Sequence, residues 1–264
     1  MTFGEMRNPL REKLGQDIPA IGVWITLADP AVTELVCLLG VDWIVVDMEH
    51  GGLGLPDILA HARAAAGSGT AVLTRVPQLS GENLKRALDL GIDGVIVPYV
   101  KTAAEVAEAF RFGRFPPDGE RGIGGERASH WGLEMGTYLE IANRETMIVP
   151  LIETRAAIEN IDAILETRGL EAVFMGPADL SASMGHTGAW EGPGVAEVIL
   201  DVRQRAEAKG IAAGIIGRSA EDQARRIREG FRMICIGADT GLIASGVKEA
   251  MIRLKDARYD HKGL

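Results

Sequence analysis

Two cysteines, seven lysines and no long apolar run occur in the 264 residues, and each scarcity removes a class of function. Cys37 and Cys235 sit in apolar stretches (LVCLL and MICIG), which favours buried free thiols in a reducing cytoplasm over a disulfide. No stretch approaches the roughly 20 apolar residues needed to cross a bilayer. The start, MTFGEMRNPLREKLGQD, lacks the charged, apolar, small-residue order of a secretory signal, so a cytoplasmic protein is expected. A net charge of −9 argues against nucleic acid or an anionic membrane surface as partner. It leaves an anionic small substrate open, because a local arginine or metal ion overrides the global field. No linker, low-complexity tract or charge run divides the chain, so residues 1–264 read as a single domain.

What is present is a repeat of short, continuously apolar runs followed by helical patterns. The runs are 20–26, 43–48, 70–75, 93–98, 147–152, 171–176, 211–215 and 232–236. Continuous rather than alternating hydrophobicity is the mark of parallel strands covered on both faces. Segments 30–39, 56–66, 80–90, 103–113, 154–165, 195–209, 219–229 and 239–257 carry apolar residues three and four apart, several behind a capping Ser or Thr. Eight such alternations predict an α/β fold, a (β/α)₈ TIM barrel with a long C-terminal helix. A dinucleotide-binding fold would want Gly-x-Gly-x-x-Gly after the first strand, and none is there. One connection is anomalous: about 34 residues separate the helix ending near Phe112 from the strand at 147, with a helix expected at 134–143. So long an excursion suggests a lid or binding loop, and over the barrel mouth it would line a substrate pocket.

In such a barrel the chemistry sits at the C-terminal strand ends. Polar residues there are Asp47, Glu49 and His50 after strand 2, Arg75 after strand 3, Glu153 after strand 5 and Asp179 after strand 6. Singly, each has a plain structural reading: Asp179 as a helix cap, Glu153 paired with Arg155, His50 bonded to Asp47. Arg75, between an apolar strand and Val-Pro, must find a carboxylate or a ligand. Together on one rim they favour function. Oxygen ligands from Glu153 and Asp179, with no Cys or His pair nearby, suggest Mg²⁺ or Mn²⁺, with Co²⁺ a further option. A 2-oxo acid would chelate such an ion, with its carboxylate on the backbone N–H groups of Gly176-Pro177-Ala178-Asp179. His50, oriented by Asp47, is the expected general base and Arg75 the stabiliser of an enolate oxygen. A Schiff-base mechanism needs a lysine at a strand end; only Lys101, three residues past Pro98, comes near.

The stretches VDMEHGG (46–52), LTRVP (73–77), ALDLGIDGVIVPYVKTAAE (87–105), RFPPDGERGIG (114–124), PLIETRAAIENIDAIL (150–165), VFMGPADLSASMG (173–185) and GADTGLIASG (237–246) resemble the HpcH/HpaI family of class II pyruvate aldolases over essentially the whole chain. The resemblance implies a barrel of the phosphoenolpyruvate/pyruvate type and reversible cleavage of 4-hydroxy-2-oxo acids to pyruvate and an aldehyde. It implies Glu153 and Asp179 as metal ligands, His50 as base with Asp47, Arg75 at the pyruvate carbonyl, Asp89 near that dyad and Trp24 lining the pocket. It also implies a homohexamer that exchanges C-terminal helices. The aldehyde half is expected to meet the 115–135 loop, where Glu126, Arg127, His130 and Trp131 lie, and residues after strand 7. A citryl- or malyl-CoA-type lyase needs a basic groove that this lysine-poor chain does not obviously supply, and a non-catalytic oxo-acid-binding barrel is the third reading.

Overall fold

The computed structural model describes residues 7–260, with side chains as far as Leu254. Eight strands, β1 (Ala20–Ile25), β2 (Trp43–Asp47), β3 (Ala71–Arg75), β4 (Gly94–Val97), β5 (Met147–Ile152), β6 (Ala172–Met175), β7 (Ala212–Ile216) and β8 (Met233–Ala238), pair in chain order and close into a barrel. Every pairing is parallel, including the closure of β8 on β1, where a bulge shifts the register between Gly22 and Trp24. β2 shows why the sequence does this: all five residues of WIVVD are buried, so both faces must be covered, and helices cover the outer one.

Those helices are α1 (Pro9–Gly15), α2 (Ala31–Leu38), α3 (Leu55–Ala64), α4 (Gly81–Leu88), α5 (Ala103–Gly113), α6 (Met135–Glu145), α7 (Arg155–Glu159), α8 (Ile161–Leu165), α9 (Pro177–Ser183), α10 (Val195–Ala208), α11 (Ala220–Arg228) and α12 (Asp239–Asp260). The single helix expected over 154–165 is two. Asn160 sits between them, and its side-chain amide donates to Lys101 O at 3.1 Å and Ala156 O at 2.9 Å. Competition of a short amide with the backbone is a common helix breaker. The sequence pattern also passed over α1, although its signal is written in Asn8-Pro9: Asn8 caps Leu10 and Arg11, and proline opens the helix.

The interior is filled rather than hollow. Trp43, Val45, Leu73, Phe174, Met233 and Cys235 pack inside the strands, with Leu10 and Leu14 of α1 joining the same cluster. Trp43 lies directly over Gly22, where a Cβ would come within 2.1 Å of the indole ring; its Nε1 donates to Ala20 O at 3.1 Å. Phe174 meets Trp43 edge-on, with centroids 6.0 Å apart, and Trp24 at 5.7 Å.

The long connection lies elsewhere than expected. It joins α5 to β5, and helices in a barrel run back toward the N-terminal strand ends, so 114–146 wraps that end and not the mouth. Arg127 fixes it there, donating to the carbonyls of Leu90 at 2.5 Å, Gly91 at 3.0 Å and Ala62 at 3.3 Å. The 115–135 loop therefore does not line the mouth of its own barrel.

Gly22→Ala is expected to destabilise the barrel by about 1–3 kcal/mol, the cost of overpacking a filled interior, read as a lower urea midpoint at unchanged slope.

Candidate active site

β2 and β3 are paired so that Asp47 stands directly beside Arg75. The guanidinium donates from Nε to Asp47 Oδ1 at 2.8 Å and from Nη2 to Oδ2. Its Nη1 lies 2.8 Å from Glu49 Oε2, and its Cζ sits 5.1 Å from the Trp24 ring centroid. Burial pushes Asp47 upward, but the hydrogen bonds and charge of Arg75 outweigh it and hold the carboxyl below its ordinary value. Burial likewise disfavours the Arg75 charge, and Asp47 more than restores it. Glu49 ends higher than usual because desolvation exceeds what Arg75 returns.

Asp47 is thus committed to Arg75 and to the backbone N–H of Glu49, at 2.9 Å; it does not hold the His50 ring as expected. The imidazole is exposed, and its Nε2 lies 3.9 Å from Glu49 Oε2. Glu49 stood in the motif without a role, and the structure places it against both Arg75 and His50. Asp89 is not brought to the rim either. It caps the C-terminal end of α4, at the opposite end of the barrel, where its Oδ1 accepts from Arg121 Nη2 at 2.8 Å.

Glu153 and Asp179 do share the rim. Glu153, 1% exposed, accepts the N–H of Tyr99 on Oε1 at 2.7 Å. Tyr99 holds a left-handed φ of 54°, a strained conformation for a bulky residue of the kind found at functional sites. Behind Glu153 stands Gly176, where a Cβ would lie 2.8 Å from Glu153 Oε2. Only glycine permits that approach. Asp179 is the third residue of α9 and makes no cap bond; Gly176 is the N-cap position and Pro177 opens the helix. Since Pro177 has no N–H and Leu180 N–H is taken by Gly176 O at 2.9 Å, Ala178 and Asp179 carry the open backbone donors.

Electrostatics tie these acids together. Burial raises the Glu153 carboxyl to about 7, with the charges of Asp179 and Glu49 adding to it against the Tyr99 N–H and Arg75. The Tyr99 hydroxyl is raised first by Asp179, then by burial, Glu153 and Glu49. Three carboxylates, Asp47, Glu49 and Glu153, therefore act on one buried guanidinium already paired with two of them, and Asp179 adds its charge to Glu153 and Glu49. Among the described residues no group of three or more His, Cys, Asp or Glu stands in metal-holding geometry. The Glu153–Asp179 pair has the donor chemistry of a site in which a hard cation takes oxygens from protein, substrate and water. A divalent ion would relieve the repulsion that lifts Glu153. Lys101, the one lysine near a strand end, is exposed. A hollow of about 720 Å³ among Arg11, Arg111, Arg114 and Arg144 lies at the far end of the barrel, so size alone does not mark the chemistry.

Residues 20–246 match the HpcH/HpaI aldolase/citrate lyase family. The chain belongs to that family. It is 36% identical over 254 residues to a 4-hydroxy-2-oxovalerate aldolase of Rhodococcus jostii, covering 96% of this chain and 98% of that one. It is 34% identical over 245 residues to a 5-keto-4-deoxy-D-glucarate aldolase of Salmonella arizonae, covering 92% and 94%. A crystal structure of an HpcH/HpaI aldolase/citrate lyase family protein from Burkholderia cenocepacia superposes with a TM-score of 0.89 at 32% identity, over 94% of this chain and 99% of that one. Family and relatives make this HpcH/HpaI member an aldolase, a carbon–carbon lyase.

The raised Glu153 carboxyl gives a pH prediction. Its folded value lies above its ordinary 4.5, so its contribution to stability is full below about 4.5 and is lost as pH rises through about 7. In metal-free protein, Glu153→Gln should flatten a pH-dependent loss on the order of 2–3 kcal/mol across that window. Titration with Mn²⁺ near pH 6.5 should release protons, seen calorimetrically in buffers of different ionisation enthalpy; metal uptake without proton release, or a slope unchanged in Glu153→Gln, would contradict the assignment.

Proposed function

We propose that the chain catalyses reversible, divalent-metal-dependent aldol cleavage of a 4-hydroxy-2-oxo acid, of the heptanedioate or 2-keto-3-deoxy sugar acid type, into pyruvate and an aldehyde. The observation that carries this reading is the buried Glu153 carboxylate sharing a rim with Asp179 beside the Asp47–Arg75–Glu49 cluster. Relatives named as aldolases for 4-hydroxy-2-oxovalerate and 5-keto-4-deoxy-D-glucarate support the substrate class.

Glu153 and Asp179 would hold Mg²⁺, Mn²⁺ or Co²⁺. Bound there, the cation supplies Lewis-acid polarisation of the 2-oxo group. Arg75 has five N–H donors; Asp47 takes two, Nη1 is ion-paired with Glu49, and the donors that remain are left for the oxygen that becomes the enolate. Because both carboxylates fix the guanidinium plane beforehand, little reorganisation accompanies charge development. The substrate carboxylate is received by the Ala178 and Asp179 N–H groups at the start of α9. Trp24 floors the site as the top layer of the barrel interior. His50, exposed and beside Glu49, is the group able to take the C4 hydroxyl proton at its ring as the C3–C4 bond breaks and then to give a proton to the enolate carbon, C3. Asp89 cannot assist the His50 of its own chain, since it stands at the other barrel end; a pairing of the two is available only between copies.

Assembly as a homo-oligomer, a hexamer by family resemblance, is supported by α12. Ile243, Val247, Met251, Ile252 and Leu254 are more than half exposed along one helix, an apolar surface that monomers rarely leave uncovered. No helix among the described residues is long and apolar enough to cross a membrane. Both cysteines are unpaired, and burial pushes the Cys235 thiol up to about 12.

Pyruvate release coupled to lactate dehydrogenase, across a panel of 4-hydroxy-2-oxo acids, tests the reading. Activity should vanish with EDTA and return with Mg²⁺, Mn²⁺ or Co²⁺; borohydride inactivation in the presence of pyruvate, with indifference to EDTA, would refute it. Asp179→Ala should abolish activity while the protein keeps a cooperative melt, since Asp179 makes no cap bond. For His50→Ala, cleavage should fall by about 10²–10⁴-fold with pyruvate binding retained.

A further inference from the structure

Arg218 stands two residues beyond the end of β7 and so projects from the same rim as Asp179. Trp190 belongs to the connection between α9 and α10, which returns to that rim. With Ala178, Gly188 and Ala189 these two side chains line a hollow of about 450 Å³. Ala178 precedes Asp179, so the hollow opens beside the turn assigned to the pyruvate half. The Arg218 guanidinium carbon lies 5.7 Å from the Trp190 ring centroid.

Both side chains carry donors with no protein acceptor among the described residues. Among the described residues Arg218 makes no ion pair, because the neighbouring carboxylates are engaged elsewhere. Asp222 accepts the Arg218 backbone N–H at 2.9 Å and pairs with Arg225 and Arg226; Glu191 pairs with Arg226. The Trp190 Nε1 is buried with no acceptor, an arrangement that ordinarily costs a full desolvation penalty. The exposed Arg218 guanidinium, with the Trp190 ring beside it, offers an oxyanion on this wall charge-assisted donors that no carboxylate among the described residues occupies. Elsewhere the rim is acidic, and Arg75 is already held by Asp47 and Glu49, so an anionic substrate tail finds its counter-charge at Arg218.

We propose that Arg218 and Trp190 form the subsite for a carboxylate on the aldehyde half, making the preferred substrate a dianionic 4-hydroxy-2-oxo acid whose cleavage gives pyruvate and a carboxylated aldehyde. This rests on the aldolase reading above and narrows it: an acid with a neutral tail leaves the Arg218 guanidinium without a counter-charge.

The test compares metal-loaded wild type with Arg218→Met and Trp190→Phe on 4-hydroxy-2-oxoheptanedioate and on 4-hydroxy-2-oxopentanoate, which lacks the second carboxylate. Wild type should prefer the diacid. Arg218→Met should lose about 10- to 100-fold in kcat/KM on the diacid, mostly through KM, and stay within about twofold on the neutral-tailed acid. Equal losses on both substrates, or none on either, overturn the proposal. A second arm needs no turnover: succinate should quench tryptophan emission in wild type, weakly in Arg218→Met and not in Trp190→Phe. If wild type cleaves neither acid, the aldolase reading fails and the succinate arm alone decides the subsite, with absence of Trp190-dependent quenching counting against it. Arg218 is exposed, so its loss should leave the melt unchanged.

Discussion

A single guanidinium, that of Arg75, organises the charged end of this barrel. It is buried, it stands beside Asp47 in the β2–β3 register, and it is bonded by Asp47 and Glu49 together. Breaking such a buried pair by removing one partner strands the other charge at a cost of several kcal/mol, so the three residues hold one another in place. The consequence reaches across the mouth. With Arg75 engaged on the β2 side, Glu153 just past β5 and Asp179 in α9 form no ion pair among the described residues, and burial with the charges of Asp179 and Glu49 lifts Glu153 to about 7. The site carries an unneutralised acidic pair next to an arginine with donors to spare.

The barrel makes this arrangement possible by filling its own interior. Trp43 over Gly22, Phe174 across from it and Leu10 and Leu14 of α1 leave no channel. The strand ends therefore become a rigid floor, with Trp24 as its top layer. Polar side chains one or two residues past each strand have nowhere to point but the rim. Gly176 repeats the logic locally, its missing Cβ letting β6 close against Glu153. Asp239, at the start of α12, accepts the Thr26 and Leu27 N–H groups and ties β8 to the end of β1 at the same level.

How legible this was depended on the kind of signal. All eight strands were readable because parallel strands buried on both faces are continuously apolar. Once they were placed, the barrel-end rule picked out Asp47, His50, Arg75, Glu153 and Asp179 without any geometry. Pairing among them was not readable. Asp47 precedes His50 by three residues, and adjacency suggested a bond; the β2–β3 register instead puts Asp47 beside Arg75, a partner 28 residues away. Glu49 was in plain view but carried no pattern of its own, since its meaning comes from Arg75 and His50. Tyr99 has a role only through its backbone N–H, which no residue letter displays.

The 115–135 loop and Asp89 were misplaced for one shared reason: chain direction. A segment after a helix and before a strand lies at the N-terminal end of the barrel, however long it is, and the last residue of α4 lies there too. Length drew attention to the loop, and direction decides where it goes. That end carries its own polar system, Arg121 on Asp89 and Arg127 on the α4–β4 carbonyls, remote from its own mouth. Two features then point outward from the single chain: functional-looking residues facing away from their own site, and an α12 whose aliphatic residues are uncovered. A rim that holds its acidic pair but stays open beside Arg218 is what a barrel would present if neighbouring copies close it. Under that arrangement Arg218 and Trp190, both on the chain's own rim, form the fixed wall against which any neighbouring surface must fit.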